Sequence, residues 1–361
     1  MLREPSITSE SLADLLARLV DIPSVTGDEA AIADFVESRL RAAGQGEVRR
    51  SRHSLVWRGP ARGRALLTLA GHLDTVPPNG NERARIEGDR LYGLGSTDMK
   101  SGDAVMLALL ETLDPARSRF DLAMVFYEAE EGPADRNALG RLLEEMPWLR
   151  QSALAILLEP TSLQAEMGCN GSMNAEVRVT GVSAHSARPW TGVNAIERAA
   201  PWLAEVTRFP VHPVQLQGVE YRETLQVTTM RAGRARNVVP DELVANLNYR
   251  FPPGRSLAEA ERRVRSVVPS EFELRIVDAA PAGAICADHP LAKEFVSRFG
   301  ARIAGKQGWT DVARFTEAGV PAFNFGPGIP ELAHQREEYC PIENLGIAYR
   351  WLREFLSEPP R

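Results

Sequence analysis

The sequence predicts an α/β fold: a mostly parallel sheet sandwiched by helices, with a smaller βαββαβ, ferredoxin-like unit inserted into it. Three observations carry this. Short apolar runs alternate with helical stretches through the first part of the chain. Near residue 172 the pattern changes to strict alternation of apolar and polar residues. Apolar strand character of the first kind then returns at "VPAFNFGPG", 320–328. A chain of 361 residues also exceeds one typical core. The expected division is a larger domain over 1–171 and 281–361, with 172–280 inserted.

Taken in order, Thr26-Gly-Asp-Glu29 has the form of a capping box. Behind it Ile32, Phe35, Val36 and Leu40 share one helical face, and Gly44 is placed to end the helix. The runs "ALLTLA" (65–70), "LAMVFY" (122–127) and "LAILL" (154–158) read as buried strands, with "SGDAVMLALLETL" (101–113) as a helix between the first two. Such apolar strands suit a parallel sheet covered on both faces. In "MNAEVRVTG", Met173, Ala175, Val177 and Val179 face one way and Asn174, Glu176, Arg178 and Thr180 the other, a strand with one wet face. A helix at 192–206, strands near 224–230 and 242–250, a helix at 256–268 and a strand at 272–277 complete a split βαβ unit. "DAAPAGA", 278–284, reads as the return linker.

Composition bounds the function. With 44% hydrophobic and 25% charged residues the chain is of soluble globular type, and its net charge of −6 argues against a nucleic-acid partner. Lysine is scarce: Lys100, Lys293 and Lys306 leave 42 − 3 = 39 arginines. Cys169, Cys286 and Cys340 are scattered and form no CxxC. That suits a reducing cytoplasm and argues against a disulfide framework or a cysteine zinc knuckle. The N-terminal "MLREPSITSESLADLLARLV" lacks the apolar centre of a signal peptide, and no 18-residue apolar run suggests a membrane span.

One stretch poses a chemical question. After the strand at 122–127 come Glu128, Glu130 and Glu131. Carboxylates crowded at the end of a buried strand repel one another and resist desolvation, so a positive partner is expected unless the loop is simply solvated. His72 follows the strand in "LTLAGHLDTVPP", and Asp74, two residues on, lies on the same side of an extended backbone and could hold its second nitrogen. Asp98 sits in "GLGSTDMKSGD", where Gly93-x-Gly95 lacks the third glycine of a dinucleotide loop. Glu159 ends "LAILLEP", and His334 lies in the late loop "GIPELAHQREE". Singly each has an ordinary reading: a turn, a helix N-cap, a solvated strand end, a surface histidine. Together, two histidines and several acidic residues at strand ends and in glycine-rich loops can hold two divalent ions, zinc among them. Metal is then the expected positive charge, and one of the adjacent glutamates can ligate while the other takes a proton from water.

The run "GHLDTVP", "DMKSG", "EEG", "EP" and a late "AHQ" resembles the M20-type dinuclear metallo-aminoacylase/carboxypeptidase family over essentially the whole chain. The resemblance implies a dimerisation lid in the inserted unit. It implies His72 and Glu159 on one ion, Glu131 and His334 on the other, Asp98 bridging, Asp74 orienting His72, and Glu130 as general base. Zinc is the metal it implies, with cobalt as a substitute. His185, in "AHSARPWTGVNAI", would reach the active site of a partner subunit and stabilise the oxyanion, which implies a homodimer through the lid. Asn237, Arg188, Arg250, Arg314 and the backbone at Gly326 would contact substrate.

Within the family, "GCNGSMNAEV", "NYRFPP", "GWTDVARF" and "NFGPGIPELAHQ" resemble the branch that removes succinate from N-succinyl-L,L-2,6-diaminopimelate. One departure stands out: many of that branch carry a basic "GRRGS" before the lid, where this chain has Gly168-Cys169-Asn170-Gly171-Ser172. The same site could deacylate acetylornithine or another N-acylamino acid, or trim a dipeptide. A non-catalytic binding or regulatory protein on this fold is the alternative of a different class.

Overall fold

The computed structural model describes residues 9–357. The first eight residues of the N-terminal stretch discussed above lie outside them. The chain forms two compact units. The larger comprises the residues up to Gly168, Ala284–Ala304 and those from Arg314 on; the smaller comprises Cys169–Gly283 and Gly305–Ala313. Among the described residues no helix is long and apolar enough to cross a membrane.

The larger unit is built on a mixed eight-stranded sheet whose centre is parallel. Asp121–Tyr127, Leu66–His72, Leu154–Leu157 and Ala322–Asn324 lie side by side in that order, all pointing the same way. Pairing of His72 with Tyr127 and of Ala70 with Leu157 aligns their carboxyl ends. These strands are buried almost throughout, as expected of strands with helices on both faces. Ser54–Arg58 and Glu47–Ser51 extend the sheet antiparallel, and Ala165–Cys169 runs antiparallel on the other side of Ala322–Asn324. None of these three was anticipated. "EVRRS" is charged, and "AEMGC" carries a glycine and a glutamate.

The helix Lys100–Thr112 is buried from Lys100 to Leu110, on every face. It packs on the strand Leu66–His72 and is enclosed by the helices Ser9–Val20, Ala30–Ala43 and Ile342–Leu356. A helix buried all round needs small residues where it meets the sheet. Gly102 supplies one: a Cβ there would overlap the Leu158 carbonyl oxygen. The helix Ala30–Ala43 ends at Gly44 in the left-handed conformation, as predicted, but its start differs. No side chain caps it at Glu29; Glu29 accepts from the Gly27 amide, and the Thr26 hydroxyl donates to Asp74 at 2.8 Å. The apparent capping box does not form because the helix begins later, at Ala30, and the Thr26 amide is taken by the Thr75 carbonyl at 3.1 Å.

The smaller unit is a five-stranded antiparallel sheet in the order His212–Leu216, Val219–Ala232, Glu242–Phe251, Gly171–Thr180, Glu273–Ala280. Met173, Ala175, Val177 and Val179 face its core, as the alternation predicts, with the helices Ala195–Val206 and Leu257–Ser266 against them. Ser256 and Glu259 form a true capping box on the second helix. His212–Leu216 adds one strand to the predicted four. Its Pro213 disguises it in the sequence, yet proline is tolerated at a sheet edge.

Gly102→Ala tests the close helix–strand approach. Helix propensity alone favours alanine by about 1 kcal/mol, whereas overpacking typically costs about 1–3 kcal/mol. The variant should therefore melt lower than the wild type by calorimetry; a higher melting temperature would mean that the contact has slack.

Candidate metal centre

Neighbouring strands in a sheet lie about 4.7–4.9 Å apart, so three adjacent parallel strands deliver their next residues into one small volume. His72 ends the middle strand. Glu130 and Glu131 follow the strand on one side of it, and Glu159 follows the strand on the other. The carboxyl ends of parallel strands are where such sheets bind ligands.

Asp74 organises this edge. Its side chain is fully buried. One carboxylate oxygen accepts from the Glu130 amide at 2.9 Å, and the other accepts from the Glu131 amide at 3.0 Å and from the Thr26 hydroxyl. Burial opposes its charge, but the bonds to His72, the Glu130 amide and Thr26 outweigh this and hold its pKa below the usual aspartate value. Its hold on His72 is twofold: Nδ1 lies 3.0 Å from the Asp74 backbone oxygen and 3.5 Å from the carboxylate. The shorter contact is therefore the backbone one, and the carboxylate is mainly engaged with the loop that carries the two glutamates.

Ala129 explains why those glutamates part from Glu128. Its φ of 61° is left-handed, a conformation alanine rarely adopts. Glu128 consequently turns away. It pairs with Arg141 at 2.7 Å and accepts from the His53 amide at 2.8 Å. For this glutamate the positive partner is arginine, not metal.

Asp98 lies just before the buried helix, and its peptide to the N-cap residue Met99 is cis. Its two carboxylate oxygens address different imidazoles: Oδ1 is 3.3 Å from His72 Nε2, and Oδ2 is 3.6 Å from His334 Nε2. His334 Nε2 also lies 2.7 Å from Glu131 Oε1. Three sets of ligand atoms each gather within 4.8 Å: His72, Asp98 and Glu159; Asp98, Glu131 and His334; and His72, Glu130 and Glu131. Asp98 belongs to the first two.

The electrostatics favour cations. The bond to Glu131 pushes the His334 pKa up to about 9 against the effect of burial. Burial would lower the pKa of His72, but Asp74 and Asp98 overcome it and hold it well above the ordinary histidine value. Imidazole nitrogen and carboxylate oxygen, in sets this compact and this negative, are the donors that zinc and similar divalent ions take. The residues present fit such ions.

Glu338, Lys100 and Asp103 also surround the centre and were not anticipated. Glu338 is buried, and its Oε1 accepts from the amides of Thr97 (2.9 Å) and Asp98 (3.1 Å). Burial lifts its pKa to about 7 against those amide bonds. Burial likewise lowers Lys100 to about 8, and its ammonium donates to the Ile22 carbonyl. Asp103 lies close beneath Gly71, and burial holds it well above the usual carboxylate range. Only "DMKSGD" hinted at the last two, and nothing marked Glu338 among the acids around His334.

The remaining candidates are not members of these ligand sets. His185, Arg188 and Asn237 come together in the smaller unit: His185 bridges to Val238, the Ser186 amide donates to Asn237 O at 3.0 Å, and the Arg188 amide donates to His185 O at 2.7 Å. Arg250 is part-buried on the strand Glu242–Phe251 and donates to Asn248 at 3.1 Å. Arg314 donates to the Ala134 carbonyl at 2.6 Å. Gly326 is buried against the backbone of Leu158 and Glu159, where a Cβ would not fit, and bonds with Thr161. Asn170, in the segment that departs from the basic pattern, is turned inward, its amide on the Arg222 carbonyl.

Residues 68–358 match the family profile described as peptidase family M20/M25/M40. The chain belongs to this family. A Mycobacterium tuberculosis protein with the provisional name succinyl-diaminopimelate desuccinylase DapE is 42% identical over 346 residues, 95% of this chain and 97% of its own. The succinyl-diaminopimelate desuccinylase of Corynebacterium glutamicum is 39% identical over 352 residues, 95% of each chain. Among solved structures, a Staphylococcus aureus tripeptidase superposes with a TM-score of 0.81 at 20% identity, covering 98% of both chains. A dinuclear metal-binding M20 peptidase from Bacillus subtilis gives 0.70 at 15% identity over 96% of this chain and 97% of that one. Likeness at such identities establishes the shared fold.

In this M20 chain the raised histidines imply competition between protons and metal. An imidazole whose pKa is about 9 stays protonated below that pH and must lose its proton to ligate. Zinc affinity of the metal-free protein, measured by chelator competition, should therefore rise about tenfold per pH unit between pH 6 and 8 for each histidine deprotonated. An affinity independent of pH would contradict ligation by these histidines.

Proposed function

We propose that the chain hydrolyses the amide bond of N-succinyl-L,L-2,6-diaminopimelate to succinate and L,L-diaminopimelate, using two divalent ions, zinc or in its place cobalt. The observation that carries the reading is Asp98, with one carboxylate oxygen toward each of two imidazole–carboxylate sets and Glu130 alongside. Membership of the M20 family and the 39–42% identity to proteins named as desuccinylases support the substrate.

His72 and Glu159 would hold one ion, Glu131 and His334 the other, and Asp98 would serve both. When bound, the ions would polarise the scissile carbonyl and acidify a water. Glu130 takes the proton from the attacking water and returns it to the leaving amine. Asp74 keeps that base in place by holding its backbone amide, and through the Glu131 amide it ties a ligand to the same anchor. The substrate is rich in carboxylates, which guanidinium groups clasp with paired hydrogen bonds. Arg188, Arg250 and Arg314, with Asn237 and the backbone at Gly326, are the proposed contacts.

His185 is proposed to act on the active site of a second copy, within a homodimer formed through the smaller unit, where it donates to the developing oxyanion. A domain division at 172 and 280 and a cytoplasmic setting belong to the same reading; the three free, buried cysteines suit the latter.

Glu130→Gln should lower kcat by about 10²–10⁴-fold while zinc content, measured by mass spectrometry, stays that of the wild type. Near-normal turnover would remove Glu130 from the base role. A release assay over succinyl-diaminopimelate, acetylornithine and dipeptides should give the highest kcat/KM for the first. A better acetylornithine or dipeptide would overturn the substrate, and no hydrolysis with zinc or cobalt would favour a binding protein.

A further inference from the structure

Two of the loops that supply the centre come from distant parts of the chain, and a buried carboxylate reaches from one to the backbone of the other. His334 stands in the loop that follows Pro330–Leu332, and Asp98 in the loop before the helix Lys100–Thr112. Glu338, four residues after His334, is 1% exposed. Its Oε1 is 2.9 Å from the Thr97 amide and 3.1 Å from the Asp98 amide. Around this contact the stretches 93–98 and 329–339 are fastened three more times. The Gly93 amide donates to the Glu338 carbonyl at 3.1 Å, the Thr97 hydroxyl donates to the Tyr339 carbonyl at 2.9 Å, and the Ile329 amide donates to the Thr97 hydroxyl at 2.8 Å.

Glu338 does not itself join the ligand sets; those are closed by His72, Asp98, Glu130, Glu131, Glu159 and His334. Its reach is to the backbone of a ligand. The position of the Asp98 amide fixes where its side chain begins, and that side chain must address both imidazoles. Changing a group that orients a ligand from behind typically costs about 10–100-fold in metal affinity or activity.

We infer that Glu338 is a positioning residue for the dinuclear centre, its carboxylate clamping the Thr97–Asp98 backbone so that Asp98 and His334 face each other at bridging distance. This rests on the metal-dependent reading of the site and is independent of which amide is the substrate. What is required is an acceptor oxygen at the end of a side chain of glutamate length, more than its negative charge. Glutamine keeps the oxygen in place; aspartate keeps the charge but draws the oxygen back by one methylene.

The test is zinc binding to the full chain by chelator competition, together with kcat, KM and thermal melting, for Glu338→Gln, Glu338→Asp and Glu338→Ala. Glu338→Gln should bind two zinc ions with affinity within a few-fold of wild type. Glu338→Asp and Glu338→Ala should lose about 10–100-fold in zinc affinity or kcat, with KM little changed. Should Glu338→Ala not fold, the Asp and Gln pair carries the comparison. Wild-type zinc affinity and kcat in Glu338→Asp would overturn the inference, as would equal losses in Gln and Asp, which would point to charge or to general packing. Wild-type protein that binds no zinc at all would overturn both this inference and the metal-dependent function; wild-type binding with indifferent variants sinks the inference alone.

Discussion

The structure turns on a repulsion. Asp74, Asp98, Glu130, Glu131 and Glu159 are gathered where three parallel strands end, most of them shielded from water. At separations of a few ångströms, like charges in a partly desolvated site disfavour one another by several kcal/mol. Asp74 escapes because backbone amides and His72 surround it. The others lie among imidazoles whose pKa values their carboxylates raise. A site that pulls protons onto its histidines in this way is one that a divalent ion can discharge far more fully.

The surrounding fold can be understood as the means of enforcing that crowding. Parallel pairing aligns the strand ends, and Gly102 lets the helix after Asp98 approach the strand before Glu159. Gly326 and Gly328 extend the same principle: side chains there would overlap the backbone of Glu159 and of Thr97, so the late loop carrying His334 can lie directly on both earlier ones. Left-handed Ala129 and His334 add local strain on either side of the centre. Strain of this kind persists where surrounding contacts over-determine it, and beside Ala129 the Asp74 carboxylate supplies such contacts through the Glu130 and Glu131 amides.

Much of this was legible in the residues. Apolar runs of strand length betrayed the parallel core, and strict alternation betrayed the smaller sheet. His72, Asp98, Glu130, Glu131, Glu159 and His334 could be gathered because strand-end acids and loop histidines are costly unless they share a purpose. Local signals failed where tertiary competition decides. Thr26 and Glu29 form a capping pattern, but the Thr26 amide goes to the Thr75 carbonyl and the helix starts only at Ala30; Glu128 is indistinguishable from its neighbours until the turn at Ala129 sends it to Arg141. Glu338 carries no mark in a charged loop because its role depends on amides some 240 residues away. Strands such as His212–Leu216 escape notice since an edge tolerates proline and polar residues.

The account is tested most directly by anomalous scattering from crystals of the protein grown with zinc. Two peaks should flank the Asp98 carboxylate, about 3.5–4 Å apart, one against His72 and Glu159 and the other against Glu131 and His334. A single ion that leaves one histidine unligated, or ions bound away from Asp98, would contradict it.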